Sequence, residues 1–324
     1  MILDNFWLTL FFGILFPAVV AGFMLILFVT SWKQRPRNIE FMSLEDYLRA
    51  WLIGHGEGYR VDVAVEEIKH NAFGQVYAPA VYNAGKRLAK LGFTPNRVSY
   101  LSVILTLFIF YLTVMAGEGQ GLPWFTNQSW FGMILFPTGF LVLYTGINDG
   151  ADGAVAIFLN MRSKRGAWID AMLDRVTDIL LLACLIPGRF LVYPELGLDL
   201  SWLVWINLFM LFLFEYMRAK HFELDLLVIK PLKGERLTRI VLQSAIYMGF
   251  GGNSLFSLIA YLINPSVAST PVGAYFTVVI YWIMLVYQVM FFVIMVSSCV
   301  ASARWIMSEL KIMDEQHLDM KTDY

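Results

Sequence analysis

Seven stretches of this chain run with few or no charges for about the thickness of a membrane, and that feature limits its fold more than any other. They lie at about 6–30, 98–117, 129–148, 176–188, 201–214, 240–263 and 271–303, the fourth being completed by the aspartate-bearing turns before it. Roughly 20 apolar residues cross a bilayer as a helix. With 58% hydrophobic and 15% charged residues over 324 positions, the balance is far from that of a soluble domain. The sequence therefore reads as an all-α integral membrane protein with seven spans. The first run is too long for a cleaved leader, has no basic residue before it and lacks a small-residue cleavage site, so it reads as a retained helix. Cys184 and Cys299 both fall inside spans, which argues against a disulfide framework.

Basic residues set the expected orientation. With the N-terminus outside, every Lys and Arg of the 24 in the chain except Arg189 falls on the inside, as the positive-inside rule requires. The expected organisation is a transmembrane helix at 1–31, a cytoplasmic segment at 32–96, a six-helix membrane core at 97–305 and a cytoplasmic tail at 306–324, read as a short helix. Within the second segment, VYAPAVYNAGKRLAKLGFTPN interleaves Val81, Leu88 and Leu91 with Lys86, Arg87 and Lys90. That pattern predicts an amphipathic helix at the interface with anionic membrane lipids. His55 has no metal-ligand partner at useful spacing and reads as a polar loop residue. Asn127-Gln-Ser129 forms a glycosylation sequon in an outside loop. No nucleic-acid motif or Gly-rich phosphate loop is present, and membrane topology accounts for the basic residues.

The stretch DGADGAVAIFLNMRSKRGAWIDAMLD, 149–174, is the exception to this apolar character. On a helix of 3.6 residues per turn, Asp149 and Asp152 project within about 60° of each other, and Asp170 and Asp174 within about 40°. If the two helices form an antiparallel hairpin, four carboxylates converge at the cytoplasmic membrane boundary. Like charges in a poorly solvated place repel, so a cation is expected among them. Ligands that are all oxygen suit Mg2+, Mn2+ or Ca2+ rather than zinc. Four carboxylates with Gly153 and Gly166 beside them suit a two-metal site that admits a diphosphate. Two other readings stay open on the residues alone: acids lining an ion pathway, and ion pairs with Arg162, Lys164, Arg165 and Arg175. Asp178 reads as a structural partner of Arg175.

The same stretch resembles the signature of the CDP-alcohol phosphotransferase family, D-x2-D-G-x2-A-R-x8-G-x3-D-x3-D. Asp149, Asp152, Gly153, Ala156, Gly166, Asp170 and Asp174 match with correct gaps, and Ile157 stands where the family has arginine. LGFTPNRVSYLSVI at 91–104 is similar to the family's Thr-Pro-Asn entry into its first core helix. EYMRAK (215–220) and GERLTR (234–239) are similar to segments of the branch that uses inositol phosphate. The resemblance covers roughly 80–305; the first helix and 31–76 lie outside it.

What the resemblance implies is transfer of a phospho-lipid group from a CDP-linked lipid to a small polar hydroxyl acceptor, with release of CMP, by a homodimer with its active site on the cytoplasmic face. Carried over residue by residue, Asp149, Asp152, Asp170 and Asp174 would hold two Mg2+ or Mn2+ ions, and Asp174 would be the general base. Asp149, Gly153, Ala156 and Gly166 would meet the nucleotide. Arg218, Lys220, Arg236 and Arg239 would grip an acceptor phosphate such as that of inositol phosphate, a task that suits fixed cations. Alternatives are serine, glycerol phosphate or a lipid alcohol as acceptor, and, outside the family, an ion-coupled carrier or a silent scaffold for which Ile157 is the support.

Overall fold

A computed structural model describes residues 6–36, 39–54, 58–71, 73–118, 132–193, 196–224, 234–266 and 270–322. His55 and the sequon at Asn127 lie outside these. In chain order the helices are α1 (Phe6–Leu10), which passes through a wider turn at Phe11–Leu15 into α2 (Phe16–Lys33), then α3 (Leu44–Gly54), α4 (Val61–Lys69), α5 (Ala78–Lys90), α6 (Pro95–Glu118), α7 (Leu135–Phe158), α8 (Lys164–Ala183), α9 (Trp202–Glu223), α10 (Arg236–Ile263) and α11 (Pro271–Thr322). A two-residue antiparallel pair, Val192–Tyr193 with Leu198–Asp199, closes the loop before α9. Among the described residues five helical stretches are long and apolar enough to cross a membrane: Phe11–Lys33, Pro95–Gly117, Trp202–His221, Arg236–Ile263 and Val278–Glu315. The remaining two expected spans are α7 and α8, whose length is adequate but whose ends nearest their joining turn carry the aspartates. The chain is thus an all-α membrane protein.

α7 is the central post, packed against α10, α6 and α5. A row of small polar residues on α6, Ser99, Ser102, Thr106 and Thr113, is buried, and Ser102 Oγ accepts from Asn148 Nδ2 of α7 at 2.6 Å. Small side chains at helical spacing let two backbones approach closely inside a membrane. Below this contact, Leu135, Val142, Leu181, Leu185, Leu208, Phe214, Tyr247, Tyr287 and Phe291 form one buried cluster joining α7 to α11. Both cysteines are free and buried there, as their place in the apolar runs requires.

Three features differ from the expectations. α5 is amphipathic as expected, but its apolar face, with Val81, Gly85 and Leu88 buried, packs on α7; a Cβ on Gly85 would come within 2.7 Å of the Ala154 Cβ. The tail is no separate short helix: α11 continues to Thr322, since no Gly or Pro follows Gly273 to break it. Finally, α7 and α8 do not pack along each other as a hairpin; each packs on α6, and they diverge from the turn that joins them.

That turn is sharply specified. Asn160 takes a left-handed conformation (φ 51°), and the N–H of Met161 reaches the Ala156 carbonyl at 2.9 Å while that of Asn160 reaches Ile157 at 3.2 Å, the pairing that closes a helix C-terminus. Three residues later Ser163, in extended conformation, caps α8 by accepting from the Gly166 N–H at 3.0 Å. Ser163→Ala is expected to lower unfolding stability by about 1 kcal/mol, and Asn160→Gly to be nearly neutral because glycine adopts the same conformation freely; thermal melts of the two variants in detergent check both.

Candidate functional site: an aspartate cluster at the mouth of the helix core

Where α7 and α8 diverge, their aspartates face each other. One oxygen each of Asp149, Asp170 and Asp174 lies within 4.8 Å of the other two. Asp152 is buried beside them; its Oδ2 accepts from the Ser99 hydroxyl of α6 at 2.7 Å, and its carboxyl also meets that of Asp170. The four residues singled out by spacing are therefore brought together, with Asp152 held to one side by α6. Ser99 was not foreseen, although it lies one turn after Thr94-Pro95-Asn96 on the small polar row of α6, a pattern visible in the sequence.

The guanidinium of Arg236, at the first turn of α10, enters this cluster. It pairs with Asp149 and Asp174, its Nη2 donates to Thr177 Oγ1 at 2.6 Å, and its Nε lies 3.1 Å from Asp178 Oδ1. Arg239, one turn on, is buried with Nη2 on Asp178 (2.7 Å) and Glu215 (3.0 Å) and Nη1 donating to the Gly234 carbonyl at 2.7 Å. Arg175 completes the network, 3.2 Å from Asp178 and 2.7 Å from Glu215. Asp178 is indeed a partner of Arg175, and it also meets two arginines of α10 that spacing along one helix could not reveal.

Of the four cations assigned from sequence to an acceptor phosphate, Arg236 and Arg239 are engaged with acids inside the fold. Lys220 pairs with Glu223 on α9, and Arg218 stacks over the Phe214 ring at 5.8 Å with no ion pair among the described residues. Gly153 is exposed, and a Cβ there would meet nothing within 4 Å, so its backbone faces open space. Ala156 is half-buried. A Cβ on Gly166 would come within 3.0 Å of Ser163 Oγ and 3.4 Å of Asn96 Oδ1, which ties the Thr-Pro-Asn entry of α6 to the start of α8.

Charge counting shows what the cluster can hold. Arg175 and Arg239 balance Asp178 and Glu215. Arg236 is then the only ion-pair partner of Asp149, Asp152, Asp170 and Asp174 among the described residues. Four carboxylates facing one arginine leave an excess of negative charge at a partly dry site, which costs free energy until further cations enter. An oxygen-only donor set of this size fits a hard divalent ion.

Ile157 does not face the cluster. It packs on a separate apolar group built by Tyr47, Leu48 and Leu52 of α3, Ala64 and Val65 of α4, and Ala78 and Val81 of α5. Nor does a neighbouring cation replace the arginine: Arg162 donates to the Ala50 carbonyl, and Lys164 and Arg165 are exposed. Ile157→Arg is therefore expected to lower stability by about 1–3 kcal/mol, since a guanidinium would be forced among apolar side chains; a melt equal to wild type would show that α3–α5 can move aside.

No protein-family model matches the chain. It is 33% identical over 98 residues to the archaetidylinositol phosphate synthase of Pyrococcus horikoshii, a match that covers 30% of this chain and 43% of that protein. The chain is thus aligned with less than half the length of this curated relative, and with it the resemblance to the CDP-alcohol phosphotransferase family rests on a protein as well as on a signature.

Proposed function

We propose that this chain is a divalent-metal-dependent transferase of the membrane, which moves a phospho-lipid group from a CDP-linked lipid to a hydroxyl acceptor, with a polyol phosphate such as inositol phosphate as that acceptor. The observation that carries the reading is the convergence of Asp149, Asp170 and Asp174, with Asp152 at their side, on residues that match the family signature at every aspartate. The relative's name adds the acceptor class: it is a synthase of an inositol phosphate lipid.

In this reading Asp149, Asp152, Asp170 and Asp174 hold Mg2+ or Mn2+. The ions supply charge that neutralises the diphosphate and stabilises the leaving CMP. The exposed backbone at Gly153, with Asp149, Ala156 and Gly166, receives the nucleotide. An oxygen of the acceptor hydroxyl forms a bond to the lipid-bearing phosphorus, the bond from that phosphorus to CMP breaks, and Asp174 takes the hydroxyl proton. The Asp174 side chain is 19% exposed, so the proton has a route out. Of Arg218, Lys220, Arg236 and Arg239, Arg218 has no ion pair to exchange among the described residues and is the first cation for an acceptor phosphate, with Lys220 beside it on α9, while Arg236 and Arg239 border the site as partners of its acids. The site lies on the cytoplasmic face with the N-terminus outside, and two chains form the working unit. An ion-coupled carrier is less well supported, because such carriers place acids at the membrane midplane on broken helices, whereas α7 and α8 are continuous through their aspartates.

The deciding assay is CMP release by the purified protein with a CDP-lipid and Mg2+ or Mn2+, with inositol phosphate, glycerol phosphate, serine and inositol compared as acceptors. Acceptor-dependent CMP is expected, greatest with inositol phosphate, and Asp149→Asn is expected to abolish it. Asp174→Asn should abolish turnover while CDP-lipid binding remains, and normal turnover in that variant would remove Asp174 as base. Removal of divalent ions by chelation should stop release, and added Mg2+ or Mn2+ should restore it.

A further inference from the structure

The segment between the first span and α6 carries none of the signature, yet it grips the helix that does. Phe158, at the end of α7, is ringed by Phe41, Tyr82 and Tyr47, with centroids 5.3, 5.4 and 5.7 Å away. Aromatic pairs at such distances each add to the gain from burial. Four residues on, in the turn between α7 and α8, Arg162 Nη2 donates to the Ala50 carbonyl of α3 at 3.1 Å. The guanidinium lies so close to Gly54 that a Cβ there would come within 2.8 Å of Nη1. From the other side of the segment the Tyr77 hydroxyl donates to the Gly146 carbonyl of α7 at 3.0 Å, three residues before Asp149. Burial pushes the Tyr47 phenol up to about 12, so it is a neutral packing group near neutral pH.

This grip falls where the site needs support. α7 and α8 have little contact along their lengths, so the separation of Asp149 and Asp152 from Asp170 and Asp174 depends on the turn that joins them and on α6 and α10 between them. α3 is itself braced by α4 through the shared apolar group and through two ion pairs, Arg49 with Asp62 and Lys69 with Glu45. The latter pairs are exposed and contribute little, so the brace is mainly apolar. Ile157 belongs to that brace, because an apolar residue at this position lets the segment close over the end of α7.

We infer that α3–α5 form a clamp on the α7–α8 turn, with Arg162 as its positioning residue, and that this clamp sets the spacing of the two carboxylate pairs and hence the affinity of the site for divalent ions. The inference rests on the metal-dependent reading above. Displacing the turn should alter ion binding before it alters the fold, since supporting contacts behind metal ligands commonly govern affinity.

The test uses the full chain in lipid nanodiscs, with Arg162→Ala, Arg162→Lys and Gly54→Ala, the last pushing the guanidinium off α3 without removing it. Mn2+ affinity by electron paramagnetic resonance, kcat and KM for CMP release, and the melting temperature are measured for each. Arg162→Ala and Gly54→Ala are expected to weaken Mn2+ binding about tenfold and to lower kcat by roughly tenfold to a hundredfold, as misplaced catalytic groups do. KM for the acceptor and the melting temperature should stay near wild type, and Arg162→Lys should recover part of the Mn2+ affinity because an ammonium also donates to a carbonyl. Wild-type Mn2+ affinity in both Arg162→Ala and Gly54→Ala would overturn the clamp, as would a loss of affinity that merely follows a loss of melting temperature. A wild-type protein that binds Mn2+ without releasing CMP would remove the transferase reading while the Mn2+ comparison still decides the clamp. One that binds no Mn2+ would overturn both.

Discussion

Five aspartates and a glutamate crowded at one end of a membrane core are mutually repulsive, and much of the architecture answers that repulsion. Asp178 and Glu215 are balanced by Arg175 and Arg239, and Arg236 reaches from this balanced layer to Asp149 and Asp174. The three arginines come from α8 and α10 and the acids from α7, α8 and α9, so the ion network fastens four helices together. Breaking a buried pair of this kind leaves an uncompensated charge and costs several kcal/mol. A graded arrangement results: neutral inside, negative toward the open side, where incoming cations can complete it.

The same arrangement explains why α6 matters although it bears no charged ligand. Its small polar row lets α7 come close, Ser99 holds Asp152 at the side of the cluster, and α8 rests on it as well. Two helices that diverge from a short turn can present their carboxylates at a fixed distance only if something fills the space between them. α6 and Arg236 fill it from within the core, and the N-terminal helices hold the turn from outside.

The resemblance and the geometry support each other at different points. The signature defines eight positions in 26 residues, of which seven match, but it does not say which carboxylate leans on which helix. The structure supplies that division, and it gives Ile157 a place: the side chain serves the apolar contact with α3–α5 instead of the cluster. The cations show the opposite case. Their position after the fifth span suggested a common phosphate grip, whereas Arg236 and Arg239 are tied to acids and Arg218 and Lys220 lie on α9.

The sequence by itself determined the class of fold and pointed to the four aspartates that the fold brings together. Long apolar runs have no other stable place than a lipid bilayer, and aspartates three and four apart on a helix must share a face. The breaks at Asn160 and Ser163 and the small polar row of α6 are equally local patterns, but they were not among the features expected from the sequence. Only the tertiary structure decided how α7 and α8 diverge, that Arg236 reaches Asp149 across 87 positions, and that α3–α5 close over Ile157 and Phe158. Those facts depend on contacts between distant segments, and helical periodicity says which face of a helix is buried but not which other helix buries it.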